Sequence, residues 1–211
     1  MYLSAIRNLQ ISYGLGDPFA GVAWPQLDLV MRGVKRAEAE KGVTARERLP
    51  ISPVILSQLK GVWSSSGHTH DTKMIWAACT LCFFAFLRAG EMTVPNNQAF
   101  DESAHLSITD VAVDDASNPS VLQIRIKQSK TDPFWRGVDL YVGKTSTAIC
   151  PVSAVLDYLS VRGMSPGPLF RFEDGRALTR QLFVEAVRRG LRQAGIDQEK
   201  YCGHSFRIGA A

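Results

Sequence analysis

The segment from Met74 to Leu87, running on through Arg88 to Glu91, is apolar nearly all the way round a helical projection. A helix with one apolar stripe can lie on a surface, whereas one that is apolar on every side must be wrapped by other elements. The run falls short of the roughly 18 to 20 residues a bilayer span needs, and Thr80 interrupts it. It therefore predicts the central helix of a packed domain, with Arg88 at its C-terminal end. A chain of 211 residues, 45% hydrophobic and 21% charged, can wrap such a helix once and leave a piece of a second domain.

The flanking patterns supply the wrapping. Tyr2, Leu3, Ile6, Leu9 and Tyr13 make a helical stripe with no lead-in, as expected of an element cut at its start. Leu27, Val30, Met31 and Val34 make a second, and Gly42 to Pro50 reads as a polar connection. Residues 1–48 are thus expected to form one unit with its linker, and residues 49–211 the main domain. The main domain opens with Ser52 as a cap and Pro53 in the first helical turn.

Beyond Pro95 the period changes from helical to alternating. Leu106, Ile108, Val111 and Val113, then Leu122, Ile124 and Ile126, then Val138, Leu140 and Val142 predict a small antiparallel sheet. The expected class is mainly α with that sheet, an α+β domain. A hairpin loop over residues 128–137 joins the last two strands and carries Lys130, Phe134 and Trp135. The two aromatics either anchor the loop or touch a ligand. Helices follow from Pro151 to Gly163 and from Thr179 to Gly195, and Asp197 caps a turn leading to His204 and Arg207.

Net charge is +4, compatible with a polyanionic partner. Basic residues crowd two stretches, Arg32 to Arg48 and Arg171 to Arg192, where a nucleic-acid contact and a solvated helix face are both consistent readings. Four cysteines, Cys79, Cys82, Cys150 and Cys202, are too few and too scattered for a disulfide framework, and no secretory segment opens the chain. An intracellular protein of nucleus or cytoplasm is expected. Cys79-x-x-Cys82 falls inside the apolar run without a second such pair, so core packing is the better reading than a zinc site.

The chemistry lies in residues far apart in the chain. A phosphodiester gains charge on its nonbridging oxygens during attack, so a metal-free catalyst needs fixed cations aimed at them. Arginine suits this, because its planar fork meets two oxygens and never loses its proton. Arg88 and Arg207 are candidates for such a clamp, and His204, three residues before Arg207, for a hydrogen bond to the same phosphate. Lys130 is the candidate acid for a departing sugar oxygen, with Lys127 the alternative. Glu91, one turn after Arg88, is placed to orient the arginine or the histidine.

Arg88 with Glu91 in FLRAGE, the hairpin lysine and the closing GHSFRIGAA together resemble the tyrosine recombinase (phage integrase) family, most closely the DIRS-like and Crypton-like forms of eukaryotic mobile elements. The resemblance implies the tail of a helical core-binding domain over 1–48 and a recombinase catalytic domain over 49–211, clasping double-stranded DNA. It also implies assembly of copies on DNA, strand exchange through a phosphotyrosyl intermediate, and no metal or cofactor. The family pattern continues past the HxxR helix to a further His or Trp and then to the nucleophilic tyrosine. All five tyrosines here, Tyr2, Tyr13, Tyr141, Tyr158 and Tyr201, precede Arg207. Two readings follow: a recombinase fragment of the DNA breaking-rejoining type, or a catalytically inactive DNA-binding or protein-interaction module that retains the fold.

Overall fold

A computed structural model describes residues 2–21, 24–40, 48–129, 132 and 134–211. Contacts divide the chain into two units, Met1–Glu47 and Arg48–Ala211. The first contains α1 (Tyr2–Ser12) and α2 (Pro25–Glu40). In the turn between them Asp17 pairs with Arg7 and accepts from the Phe19 amide at 3.0 Å.

The second unit is built around α4 (His70–Phe84), which packs against α3 (Pro53–Ser65), α6 (Pro151–Arg162), α7 (Arg180–Gln193) and α8 (Ser205–Ala210). Its residues from Met74 to Phe83 are buried with the exception of Trp76, as an all-round apolar helix requires. Thr69 caps it by accepting from the Thr72 amide at 3.3 Å. Ser52 does the same for α3, with Pro53 in the first turn. Cys79 and Cys82 are core residues, and burial pushes both thiols up.

The helix does not run on to Glu91 as its composition suggests. It stops at Phe84, Phe86 adopts a left-handed conformation (φ 53°), and the Cys82 thiol donates to the Leu87 carbonyl at 3.2 Å. Arg88 is then the N-cap residue of a separate short helix, α5 (Ala89–Met92). The break is invisible in the pattern because Ala85, Phe86 and Leu87 are all apolar and neither glycine nor proline marks it.

The sheet has three antiparallel strands in the order β1 (Val111–Val113), β2 (Val121–Ile126) and β3 (Val138–Gly143). Val111 pairs with Ile124, and Ile126 with Val138. Leu122, Ile124 and Ile126 are buried while Gln123 and Arg125 alternate outward, which fixes the register of the core face. Leu106 and Ile108 are not strand residues: Ile108 begins a 3-10 turn, Ile108–Asp110, that delivers the chain to β1.

Several cations of the second unit, among them Arg171 and Arg176 of the second basic stretch, have structural partners. Arg162 is buried and donates to five carbonyls of the turn from Gly163 to Leu169, among them Pro168 at 2.6 Å and Leu169 at 2.9 Å. Arg171 donates to Arg162 and Ser165, and Arg176 pairs with Asp174. Lys127 forms an ion pair with Asp110 at 2.6 Å and donates to the Glu102, His105 and Ser107 oxygens, tying the end of β2 to the segment before β1.

Gly137 closes the β2–β3 connection at φ 68°, where a Cβ would lie 2.8 Å from the Ile126 carbonyl oxygen. Gly137→Ala meets both the strained backbone and that contact, and should cost ~1–3 kcal/mol. Urea unfolding measures it, and an unshifted midpoint would contradict the turn.

Candidate functional site

Arg88, Ala89, Gly90, Glu91, Gln128, Ser129, Trp135, Arg180, Gly203 and His204 line an open cleft of about 470 Å³. Four separate stretches of the second unit meet there, and each is brought by an identifiable contact.

Arg88 is presented by the break after α4 and held by Glu91. The guanidinium Nη1 donates to Glu91 Oε1 at 2.7 Å, and the Arg88 amide donates to Glu91 Oε2 at 2.8 Å. One carboxylate thus caps the start of α5 and fixes the side chain at that start. Ser129, at the root of the β2–β3 loop, joins them: its hydroxyl donates to Glu91 Oε1 at 2.8 Å and accepts from Arg88 Nη1 at 3.2 Å. Burial, the largest single influence, pushes the Glu91 carboxyl up. The hydrogen bonds from Arg88 and Ser129 and the Arg88 charge outweigh it, leaving the carboxyl below the ordinary glutamate value.

His204 reaches the same cleft because Gly203 has no side chain. A Cβ on Gly203 would lie 2.8 Å from the Ala89 Cβ, so only glycine lets residues 201–204 approach α5 this closely. The approach is secured from behind by two backbone bonds, Leu49 amide to Lys200 carbonyl at 3.0 Å and Ile51 amide to Ser205 carbonyl at 2.9 Å. His204 is the exposed residue preceding α8. Arg180 arrives through a parallel bridge between Val94 and Thr179, with the Val94 amide donating to Leu178 at 3.0 Å and the Arg180 amide to Val94 at 3.3 Å.

The structure thus brings Arg88, Glu91 and His204 together. Arg207 lies one turn further along α8, half-buried, its guanidinium without a hydrogen bond among the described residues, and it is not part of the cleft wall. Lys130 lies outside the described residues. Its rival Lys127 is held by Asp110 and three further oxygens, away from the cleft wall. Sequence reasoning missed Arg180, whose guanidinium has no partner among the described residues, and Ser129. Arg180 was one of many arginines in its stretch; only the bridge to Val94 singles it out. Of the described tyrosine side chains none lines the cleft. Tyr158 and Tyr201 are buried, the former with its hydroxyl donating to the Leu169 and Arg171 carbonyls, each at 3.1 Å.

Chemically, the cleft offers one tethered guanidinium, one free guanidinium and an imidazole against a single carboxylate already engaged. That arrangement suits an anion with several oxygens.

No family model matches the chain, and no curated protein matches it. Among solved structures it is similar to the XerH site-specific recombinase bound to difH substrate in a pre-cleavage complex, with TM-score 0.53 and 19% identity over 77% of this chain and 42% of that one. The XerA recombinase gives TM-score 0.52 and 16% identity over 99% of this chain and 65% of that one. The chain therefore spans about two fifths of XerH. The fold is that of these tyrosine recombinases, α+β with a three-stranded antiparallel sheet. Among the described residues no helix is long and apolar enough to cross a membrane.

The lowered Glu91 carboxyl couples stability to acid. A carboxyl lowered on folding stabilises the native state above its unfolded pKa, and that contribution is lost as pH falls through the folded value. The stability difference between the parent and Glu91→Gln should be full near neutrality and shrink below the ordinary value of 4.5. Urea midpoints of both proteins across that range test it, and a pH-independent difference would refute the assignment.

Proposed function

We propose that this chain is the DNA-gripping portion of a site-specific recombinase, and that the cleft holds one phosphodiester of duplex DNA. The observation that carries the reading is the convergence of Arg88 and His204, far apart in the sequence of the second unit, on one cleft in which Glu91 and Ser129 fix the arginine. The relationship to XerH, which is described with its difH substrate, supports DNA as the anion.

In this reading Arg88 supplies a guanidinium whose orientation is set before DNA arrives, so little freedom is lost on binding. His204 donates to a second phosphate oxygen. Arg180 adds an unpartnered cation at the rim, and Arg207, one turn beyond His204 and off the cleft wall, is proposed as the second member of the clamp on its HxxR spacing. Lys130 is proposed as general acid on its place in the chain, immediately after Ser129. Residues 1–48 are proposed as the tail of a core-binding domain, and copies are proposed to assemble on DNA. The likeness to DIRS-like and Crypton-like elements rests on the FLRAGE and GHSFRIGAA motifs.

A DNA-binding or protein-interaction module without strand transfer is the second reading. The recombinase reading and a DNA-binding module both require the protein to grip phosphate, whereas a protein-interaction module does not, so DNA binding is the property to measure. The affinity of the 211-residue chain for random-sequence duplex should fall with salt, and Arg88→Ala with Arg207→Ala should weaken it. Removing one phosphate ligand should flatten the slope of log affinity against log salt by about 0.9. Fluorescence anisotropy across a salt series reads both quantities. Equal affinity and equal slope for parent and double variant would remove these arginines as phosphate ligands.

A further inference from the structure

The β2–β3 connection presents an aromatic surface that the phosphate cleft alone does not explain. Phe134 and Trp135 have two readings in the sequence, as loop anchors or as ligand contacts, and the structure decides against the first. Their exposures are 76% and 69%, so neither is packed into the domain. Polar groups hold the loop instead. The Asp132 carboxylate accepts from the Phe134 amide at 3.2 Å on one oxygen and from the Gly137 amide at 2.8 Å on the other. Arg125 Nη2 donates to the Arg136 carbonyl at 2.7 Å, while its Nη1 bonds Asp139 at 2.9 Å. The Arg136 guanidinium lies 5.4 Å from the centre of the Phe134 ring, covering part of that surface.

Trp135 is left with its indole open, and it is the member of the pair that lines the cleft with Arg88, Ser129, Arg180 and His204. Its backbone is in the left-handed region, φ 52°, which is unfavourable for a bulky residue and persists only where surrounding contacts impose it. Burial in the core is therefore not what the strained conformation achieves. It holds a flat, apolar, exposed ring at the wall of a cationic cleft, and Gln128 beside it carries an amide with no partner among the described residues.

We infer that Trp135 is a stacking platform for the base of the nucleotide whose phosphate the cleft holds. This rests on the phosphodiester reading above and extends it from the backbone to the base. Every base offers a π-face, so the contact tolerates any sequence, and alternation of aromatic and basic groups is how proteins hold unstacked nucleotides. Inside an intact duplex both faces of a base are covered by its neighbours. Trp135 therefore selects DNA in which the base beside the held phosphate has lost a stacking neighbour, as at a gap or an unpaired position. The Asp132 and Arg125 braces keep the ring in place, so the platform is largely organised before DNA binds.

The test uses the full 211-residue chain and two fluorescein-labelled oligonucleotides of one sequence, a continuous duplex and the same duplex with a one-nucleotide gap. Anisotropy gives the ratio of the two affinities for the parent, Trp135→Leu, Trp135→Phe and Arg88→Gln. The parent should prefer the gapped duplex. Trp135→Leu should reduce that preference on the order of tenfold, the size expected of one base–aromatic stack, and Trp135→Phe should retain most of it. Indole emission quenched on binding gapped DNA should lose its DNA-dependent part in Trp135→Leu. Arg88→Gln should weaken both substrates alike. An Arg88→Gln variant that binds both as the parent does would sink the phosphodiester reading itself. If Arg88→Gln weakens binding while Trp135→Leu leaves the gapped-to-continuous ratio unchanged, the stacking inference alone is overturned. Matching thermal unfolding of parent and variants separates either result from misfolding.

Discussion

The bond network of Arg88, Glu91 and Ser129 is the interaction on which the remainder of the site depends. A guanidinium on a surface side chain samples many rotamers, and an anion that binds it must first restrict them. Here a carboxylate restricts them through two separate bonds, one to the side chain and one to the backbone that starts α5. The same carboxylate accepts from Ser129, so the helical layer and the hairpin loop share one acceptor. A half-satisfied network of this kind would be worse than none, and the buried side-chain nitrogens and oxygens of the described residues are all partnered.

Around that network the domain is assembled by close backbone approaches more than by long side chains. Gly203 lies against Ala89, and Gly209 lies so close to Ile51 that a side chain there would overlap the Ile51 carbonyl. Both contacts draw the last segment onto the rest of the second unit, with Phe206 fully buried between them in sequence and Phe183 5.6 Å from it, ring centre to ring centre. The position of His204 is therefore a packing result. A larger residue at 203 displaces the histidine without touching its chemistry.

The arginines divide into two groups by what surrounds them. Where a turn leaves several carbonyls without amide partners, as between Gly163 and Leu169, a guanidinium supplies the missing donors and becomes part of the fold. At the start of α7 the groups in need of a partner are amides, and the Thr179 hydroxyl accepts one of them, so the arginine there has no carbonyl to serve and its side chain faces the cleft. Charge counting cannot separate these cases: Arg171, bonded to the Arg162 carbonyl and Ser165, lies in the same basic stretch as Arg180.

The local periodicities were sufficient for the helices at 53, 151 and 180, their caps at Ser52 and Thr179, the three strands, and the burial of Cys79 and Cys82. Each depends on interactions within a few residues or on an apolar face that must be covered. The Arg88–Glu91 pairing was legible for the same reason, being one helical turn apart. Tertiary structure alone decided the rest: the break at Phe86 that frees Arg88, the capture of Lys127 by Asp110, the arrival of Arg180 through Val94, and the placement of Arg207 off the cleft wall. These depend on which distant backbones approach within hydrogen-bonding range, and that is settled by how the whole core closes, a condition no short window of residues contains.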